Sequence, residues 1–114
     1  MASCLFCAIA SGEVPCDQVY ADEEFLAFRD IAPQAPTHVL IIPRRHIPSL
    51  TELRESDAPL MGRFSLLAAR IAGELGLAEG GYRCVVNCGE DACQSVPHLH
   101  LHLLGGRRLG WPPG

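Results

Sequence analysis

The chain reads as an α+β domain in which a largely antiparallel sheet of five strands carries one long and one short helix on one face. Three observations lead there. Leu60, Phe64, Leu67, Ile71 and Leu75 recur at spacings of three and four, the signature of one buried helix face. Several short runs of strand length, rich in β-branched and aromatic residues, are bounded by Gly, Pro and acidic turns. At 114 residues, 48% hydrophobic and 19% charged, the chain suits one packed core and a single domain over residues 1–114.

Residues 3–11 fit a short helix that turns Phe6 and Ile9 inward and ends at Gly12, a natural left-handed cap. The run QVYADEEFLAF gives a strand around Val19, an acidic turn and a second strand from Phe25 to Phe28, the pattern of an antiparallel hairpin. DIAPQAPTH, with Pro33 and Pro36, is an irregular loop. HVLIIP follows as a near-continuous apolar run, the mark of a central strand, stopped by Pro43. The long helix spans about Asp57 to Leu75, with Gly76 as its C-cap. YRCVVN is a further strand, and the polar loop CGEDACQS leads into the last, which contains HLHLHLL. The ending GRRLGWPPG is neither helix nor strand. Its single tryptophan, Trp111, predicts that the tail 105–114 packs on its own body or on a partner subunit.

The formal charge is -4, and the nine basic residues, all arginines, are scattered. Duplex nucleic acid demands a dense basic face, so it is excluded as the main partner, whereas one small phosphorylated ligand is not. The N-terminal apolar run has no basic start and is interrupted by Ser11 and Gly12, which argues against a signal peptide or a membrane span and for the cytoplasm. There the six cysteines stay reduced, and one CxxC reads better as part of a metal site than as a disulfide framework.

In HLHLHLL, three of the chain's five histidines occupy alternate positions. On a strand His98, His100 and His102 share one face while Leu99, Leu101 and Leu103 share the other. A half-exposed strand rarely chooses histidine three times, which leaves two functional readings. Same-face neighbours stand about 6–7 Å apart, so the row alone is a poor metal cage. Alternatively, the middle imidazole is a nucleophile toward phosphorus and its neighbours orient it and move protons. Gly105 and Gly106 free the backbone after the row. Before it, Gly89, Gln94 and Ser95 sit where loop amides and a hydroxyl can meet an anion, although a plain polar turn explains the same residues.

The run QSVPHLHLHLLGGRRLGWPPG resembles the signature of the histidine triad (HIT) family, and with DIAPQAPTHVLIIPRRHI and VVNCGE it is similar to the Hint branch, the purine nucleoside phosphoramidases. The resemblance extends from LFCAIASGEVP to WPPG. It implies a homodimer of the HIT fold that takes a purine nucleotide, AMP or GMP, as its amine conjugate. In that scheme His100 attacks the α-phosphorus, an amine leaves, and water frees the nucleoside monophosphate. His102 contacts the phosphate, Ser95 bonds near the leaving nitrogen, and His38 is the outer member of a histidine relay. Asp30 takes the ribose hydroxyls with Phe28 and Ile31 beside the base, and Asn87 and Gln94 lie on the phosphate side. From the residues alone, Asp30 is as well read as a turn opener and Asn87 as a strand end.

Cys4 and Cys7 by their spacing are a redox pair, half a zinc site or a coincidence. Related nucleotidyltransferases pair such a CxxC with two histidines around structural zinc, and the matching positions are His46 and His98. The alternative role for His98 is in the proton relay with His38; the complete ligand set favours zinc. Two departures from the family pattern stand out: Ala92 and Cys93 replace a glycine-rich stretch, and Pro97 replaces an aromatic residue. They bear on substrate preference and rate. Rival activities are dinucleotide polyphosphate hydrolysis or nucleotidyl transfer by the same histidine, against which the WPPG ending counts, and a nucleotide-binding scaffold with vestigial catalysis.

Overall fold

The computed structural model describes residues 4–114, so residue 3, the expected start of the first helix, lies outside the described part. The order is α1 (Leu5–Ala10), β1 (Gln18–Ala21), β2 (Phe25–Arg29), β3 (Thr37–Pro43), α2 (Ala58–Glu74), β4 (Tyr82–Val85) and β5 (Leu101–Gly105). The strands form one sheet in the order β1-β2-β3-β5-β4, and every neighbouring pair is antiparallel. β3 is central, as its apolar run predicts. Among the described residues no helix is long and apolar enough to cross a membrane.

Local chemistry accounts for the ends of both helices. Cys4 caps α1, its Sγ accepting the Cys7 N–H at 3.4 Å, and Gly12 follows with φ 86°. α2 ends in a Schellman motif: Gly76 N–H donates to Gly73 O at 3.1 Å, Leu77 N–H to Ala72 O at 2.8 Å, and Gly76 takes φ 77°. At its start Asp57 makes no side-chain cap; its carboxylate instead accepts the Arg54 N–H at 2.9 Å and the Arg45 guanidinium.

The two helices lie on opposite faces of the sheet, not on one as expected. Phe64, Leu67, Ala68, Ile71 and Ala72 of α2 pack with Phe25, Ala27, Val39, Ile41, Leu101 and Leu103. The alternate residues Leu26, Phe28, Leu40 and Ile42 point the other way and pack with Phe6 of α1. β2 and β3 are thus apolar on both faces, which explains why their sequences read as continuous runs and not as alternation. A six-residue helix has too few turns for its period to say which face of a sheet it covers.

A second correction concerns the histidine row, which is only partly strand. β5 starts at Leu101, while His98, Leu99 and His100 run up to it outside the ladder. Continuing the β3–β5 register would set Leu99 opposite Pro43, which has no N–H to donate; Leu99 N–H goes to Ile47 O at 2.6 Å instead. The alternation survives the change. Leu99, Leu101 and Leu103 enter the α2-side core, and the histidines face the α1 side, with His98 and His100 buried rather than half-exposed.

Candidate active site and metal centre

On the α1 side of the sheet lies a cleft of about 220 Å³. Leu5, Phe6 and Ile9 of α1, with Phe28 of β2 and Leu40 of β3, make its apolar wall. Asp30, Ser95, His100 and His102 bring polar groups to it, and the fully exposed Ile31 stands at its rim. Phe6 meets Phe28 edge-on at 5.6 Å and His100 at 5.0 Å between ring centroids, so one aromatic side chain joins the apolar wall to the histidines.

The hydrogen bonds around the histidines determine where each proton sits. His100 Nδ1 lies 2.7 Å from His98 O. A carbonyl only accepts, so Nδ1 carries the proton and Nε2 holds the free lone pair. The Gln34 N–H donates to His38 Nδ1 at 3.0 Å, which leaves the His38 proton on Nε2. That Nε2–H donates to His102 Nδ1 at 2.9 Å, so His102 carries its own proton on Nε2. The chain assumes neutral rings, and burial supplies them. It pushes His38 below its usual value against the pull of Asp30, and lowers His102 to about 4, helped by the His100 and His38 charges. The neutral form of His100 thus has its lone pair on Nε2, beside an N–H donor on His102, with the two rings 5.0 Å apart.

Asp30 Oδ1 accepts the Ala32 N–H at 2.8 Å and Oδ2 stands 3.5 Å from His38 Nε2. Asp30, His38 and His102 form a cluster compact enough for a metal, but ligation by His38 Nε2 would move the ring proton to Nδ1, against the Gln34 N–H. A proton relay suits these groups; a metal does not.

Cys4, Cys7, His46 and His98 form a second cluster, with all donor atoms within 4.8 Å of one another. His98 Nε2–H donates to Pro43 O at 2.7 Å, which turns the unprotonated Nδ1 into the cluster. There Nδ1 is 3.4 Å from Cys4 Sγ, 3.6 Å from Cys7 Sγ and 3.3 Å from His46 Nδ1; Cys7 Sγ is 3.3 Å from His46 Nδ1. A tetrahedral zinc requires edges of about 3.3 Å between nitrogens and about 3.6 Å between nitrogen and sulfur. The donor set and its spacing fit that ion. The His98 nitrogens meet Pro43 O and the Cys4, Cys7 and His46 donors, whereas His38 Nε2 meets His102.

Not every residue singled out in the sequence reaches the cleft. Gln94 spends its side chain on the loop itself: Oε1 accepts the Gly89 N–H at 2.9 Å, and Nε2 donates to Pro48 O at 2.8 Å and Val96 O at 3.0 Å. It braces the segment that carries Ser95. Asn87 is half-buried beyond β4 and does not line the cleft. Cys93 adopts φ 63°, the conformation a glycine would take at no cost. Trp111 is exposed, lies under the Arg83 guanidinium at 5.8 Å, and is outside the cleft of its own chain. Leu5, Phe6 and Ile9 of α1 and Leu40 of β3 are wall residues that sequence reasoning did not name for the site; the apolar face of the first helix and the apolar run of β3 were the signals, read there as core.

Residues 11–109 match the HIT domain. An uncharacterized HIT-like protein of Synechococcus elongatus is 50% identical over 110 residues, 96% of each chain. The crystal structure of a HIT family hydrolase from Legionella pneumophila superposes with a TM-score of 0.97 at 50% identity, covering 98% of this chain and 100% of that one. A zinc-bound histidine triad family protein from Mycobacterium smegmatis gives a TM-score of 0.77 at 38% identity, over 98% of this chain and 80% of that one. With the HIT match spanning residues 11–109 and a relative 50% identical over 96% of the chain, the protein belongs to the HIT family.

Proposed function

We propose that this protein is a hydrolase of purine nucleoside 5'-phosphoramidates that works through a covalent nucleotidyl-histidine. The observation that carries the reading is the Nδ1 bond from His100 to His98 O at 2.7 Å, which puts the lone pair of the neutral ring on Nε2, in a residue that lines the cleft. His100 Nε2 forms a bond to the α-phosphorus as the P–N bond breaks, and the departing amine takes a proton from the Ser95 or His102 side. Water then attacks phosphorus and the P–Nε2 bond breaks, the water's proton restores the group that protonated the amine, and the nucleoside monophosphate leaves. His102 Nε2–H donates to a phosphate oxygen, and is the proton passed to the amine where Ser95 does not supply it. Asp30 accepts the ribose hydroxyls, and the base lies against Phe28 and Ile31. The similarity to a HIT family hydrolase from Legionella pneumophila supports the general class.

Cys4, Cys7, His46 and His98 would hold zinc, and its bound neighbour from Mycobacterium smegmatis supports that reading. Held there, zinc would supply structure and not catalysis, since Cys4 and Cys7 at the start of α1, His46 after β3 and His98 before β5 would be joined through it. A cytoplasmic homodimer, with α2 and the Trp111 tail at the contact, completes the proposal.

The test compares the protein and a His100→Ala variant on adenosine and guanosine phosphoramidates and on a diadenosine polyphosphate. Phosphoramidate turnover that drops by about 10³-fold or more in the variant is the expected result. Cleavage of the polyphosphate alone assigns the chain to the rival hydrolase or transferase activity. AMP binding without turnover of either substrate makes it a scaffold.

A further inference from the structure

Arg107 lies beyond the last strand and outside the cleft, yet its guanidinium reaches the loop between β2 and β3. Its Nη2 donates to Gln34 O at 2.9 Å. Gln34 is the residue whose own N–H donates to His38 Nδ1 at 3.0 Å, and its side-chain Nε2 donates to Ala32 O at 3.0 Å. The loop has little else to hold it, since residues 31–34 are exposed and only Ala35 is buried. The tail presses on the same loop one residue earlier: a Cβ on Gly106 would come within 2.8 Å of Pro36 Cβ. Gln34 is thus gripped through its carbonyl by the tail and spends its N–H on the relay.

We propose that Arg107 is a positioning residue: by holding Gln34 it fixes the tautomer of His38, and through His38 that of His102. The Gln34 N–H is what keeps a proton off His38 Nδ1. With that donor displaced, His38 can carry its proton on Nδ1 and turn an Nε2 lone pair toward His102, 2.9 Å away. His102 would then donate from its Nδ1 and offer a lone pair, not an N–H, to the phosphate. One displaced peptide converts an attraction to the phosphate into a repulsion. Asp30 Oδ2, 3.5 Å from His38 Nε2, still favours the original tautomer, so the expected loss is partial.

The experiment uses the full-length protein labelled with nitrogen-15, and reads the imidazole nitrogens by long-range proton–nitrogen correlation at pH 7.5. His38→Gln and His102→Gln variants assign the signals. In the wild type His38 and His102 are each expected to show a protonated Nε2 and an unprotonated Nδ1. Arg107→Met averages both pairs, Arg107→Lys restores them in part, and Arg108→Ala leaves them unchanged. Turnover of adenosine phosphoramidate by Arg107→Met falls about tenfold in kcat, with KM within about twofold. The turnover readout rests on the proposed function, whereas the tautomer readout does not, so a wild type without phosphoramidase activity would sink that function and leave this proposal to the spectra. Unchanged His38 and His102 nitrogens in Arg107→Met overturn the proposal, whatever happens to kcat.

Discussion

Burial holds the His102 imidazole well below its ordinary value, with the His100 and His38 rings packed beside it adding to the effect. Its folded value of about 4 lies below the usual 6.5. Above pH 6.5 neither the folded nor the unfolded chain protonates it, and stability does not depend on it. Between 6.5 and about 4 the unfolded chain takes up the proton first, so stability falls as the pH falls through that window. His38 and His98 shift in the same direction, burial being the largest cause for each. Urea midpoints measured from pH 7.5 to 4.5 should decline more steeply for the wild type than for His102→Gln. Equal slopes would mean that the ring titrates normally in the folded protein.

Cys93 is the residue at which the chain departs from family pattern with a visible backbone cost. A β-carbon at φ 63° is disfavoured by about 1–2 kcal/mol, and Cys93 is exposed, so no packing compensates. Cys93→Gly is therefore expected to change stability by less than that penalty, because glycine also gains entropy in the unfolded chain; a net gain of about 0.5–1 kcal/mol is expected. Urea denaturation measures it, and a destabilised variant would refute the strain argument.

At the scale of elements, α2 is held by a stripe of side chains that ends on Phe25. Phe64 stacks on that ring with centroids 5.7 Å apart and is 2% exposed. Phe64→Ala should cost about 3–5 kcal/mol, read as a drop in the urea midpoint without a change in slope. The stripe was legible because five apolar positions at helical spacing over four turns leave little ambiguity. The location of α1 was not. Its six residues carry one buried side chain, Phe6, and only the opposite face of β2 and β3, apolar through Leu26, Phe28, Leu40 and Ile42, gives that ring a place to go. The histidine row shows the same limit in another form. Its alternation is a local property and was readable, whereas its exit from the ladder at Leu101 depends on Pro43, 58 positions earlier in the chain.

At the scale of the molecule, the two clusters of histidines share a backbone. His98 gives its ring to the Cys4, Cys7 and His46 cluster and its carbonyl to His100, so the proposed zinc site and the proposed nucleophile are adjacent through one residue. Loss of the ion should then loosen the entry to β5 as well as α1. Metal analysis and thermal melts of the wild type, Cys4→Ser and Cys16→Ser check this. About one zinc per chain is expected in the wild type and in Cys16→Ser, with metal lost and the melting midpoint lowered only in Cys4→Ser. Less than a tenth of an equivalent in the wild type would remove zinc from the account.

The sequence by itself determined the fold class, the central strand, the long helix and the identity of the residues that meet, because period and residue type are local and a long family signature carries the rest. It could name His38, His98, His100 and His102 but not assign their protons. That assignment belongs to the tertiary structure, since the groups that set it are backbone atoms of other segments: Gln34 N–H, Pro43 O and His98 O. The same holds for Gln94, whose type suggested a ligand contact and whose neighbours make it a brace. Side-chain identity decides what a residue can donate or accept; only the packed chain decides which partner it finds.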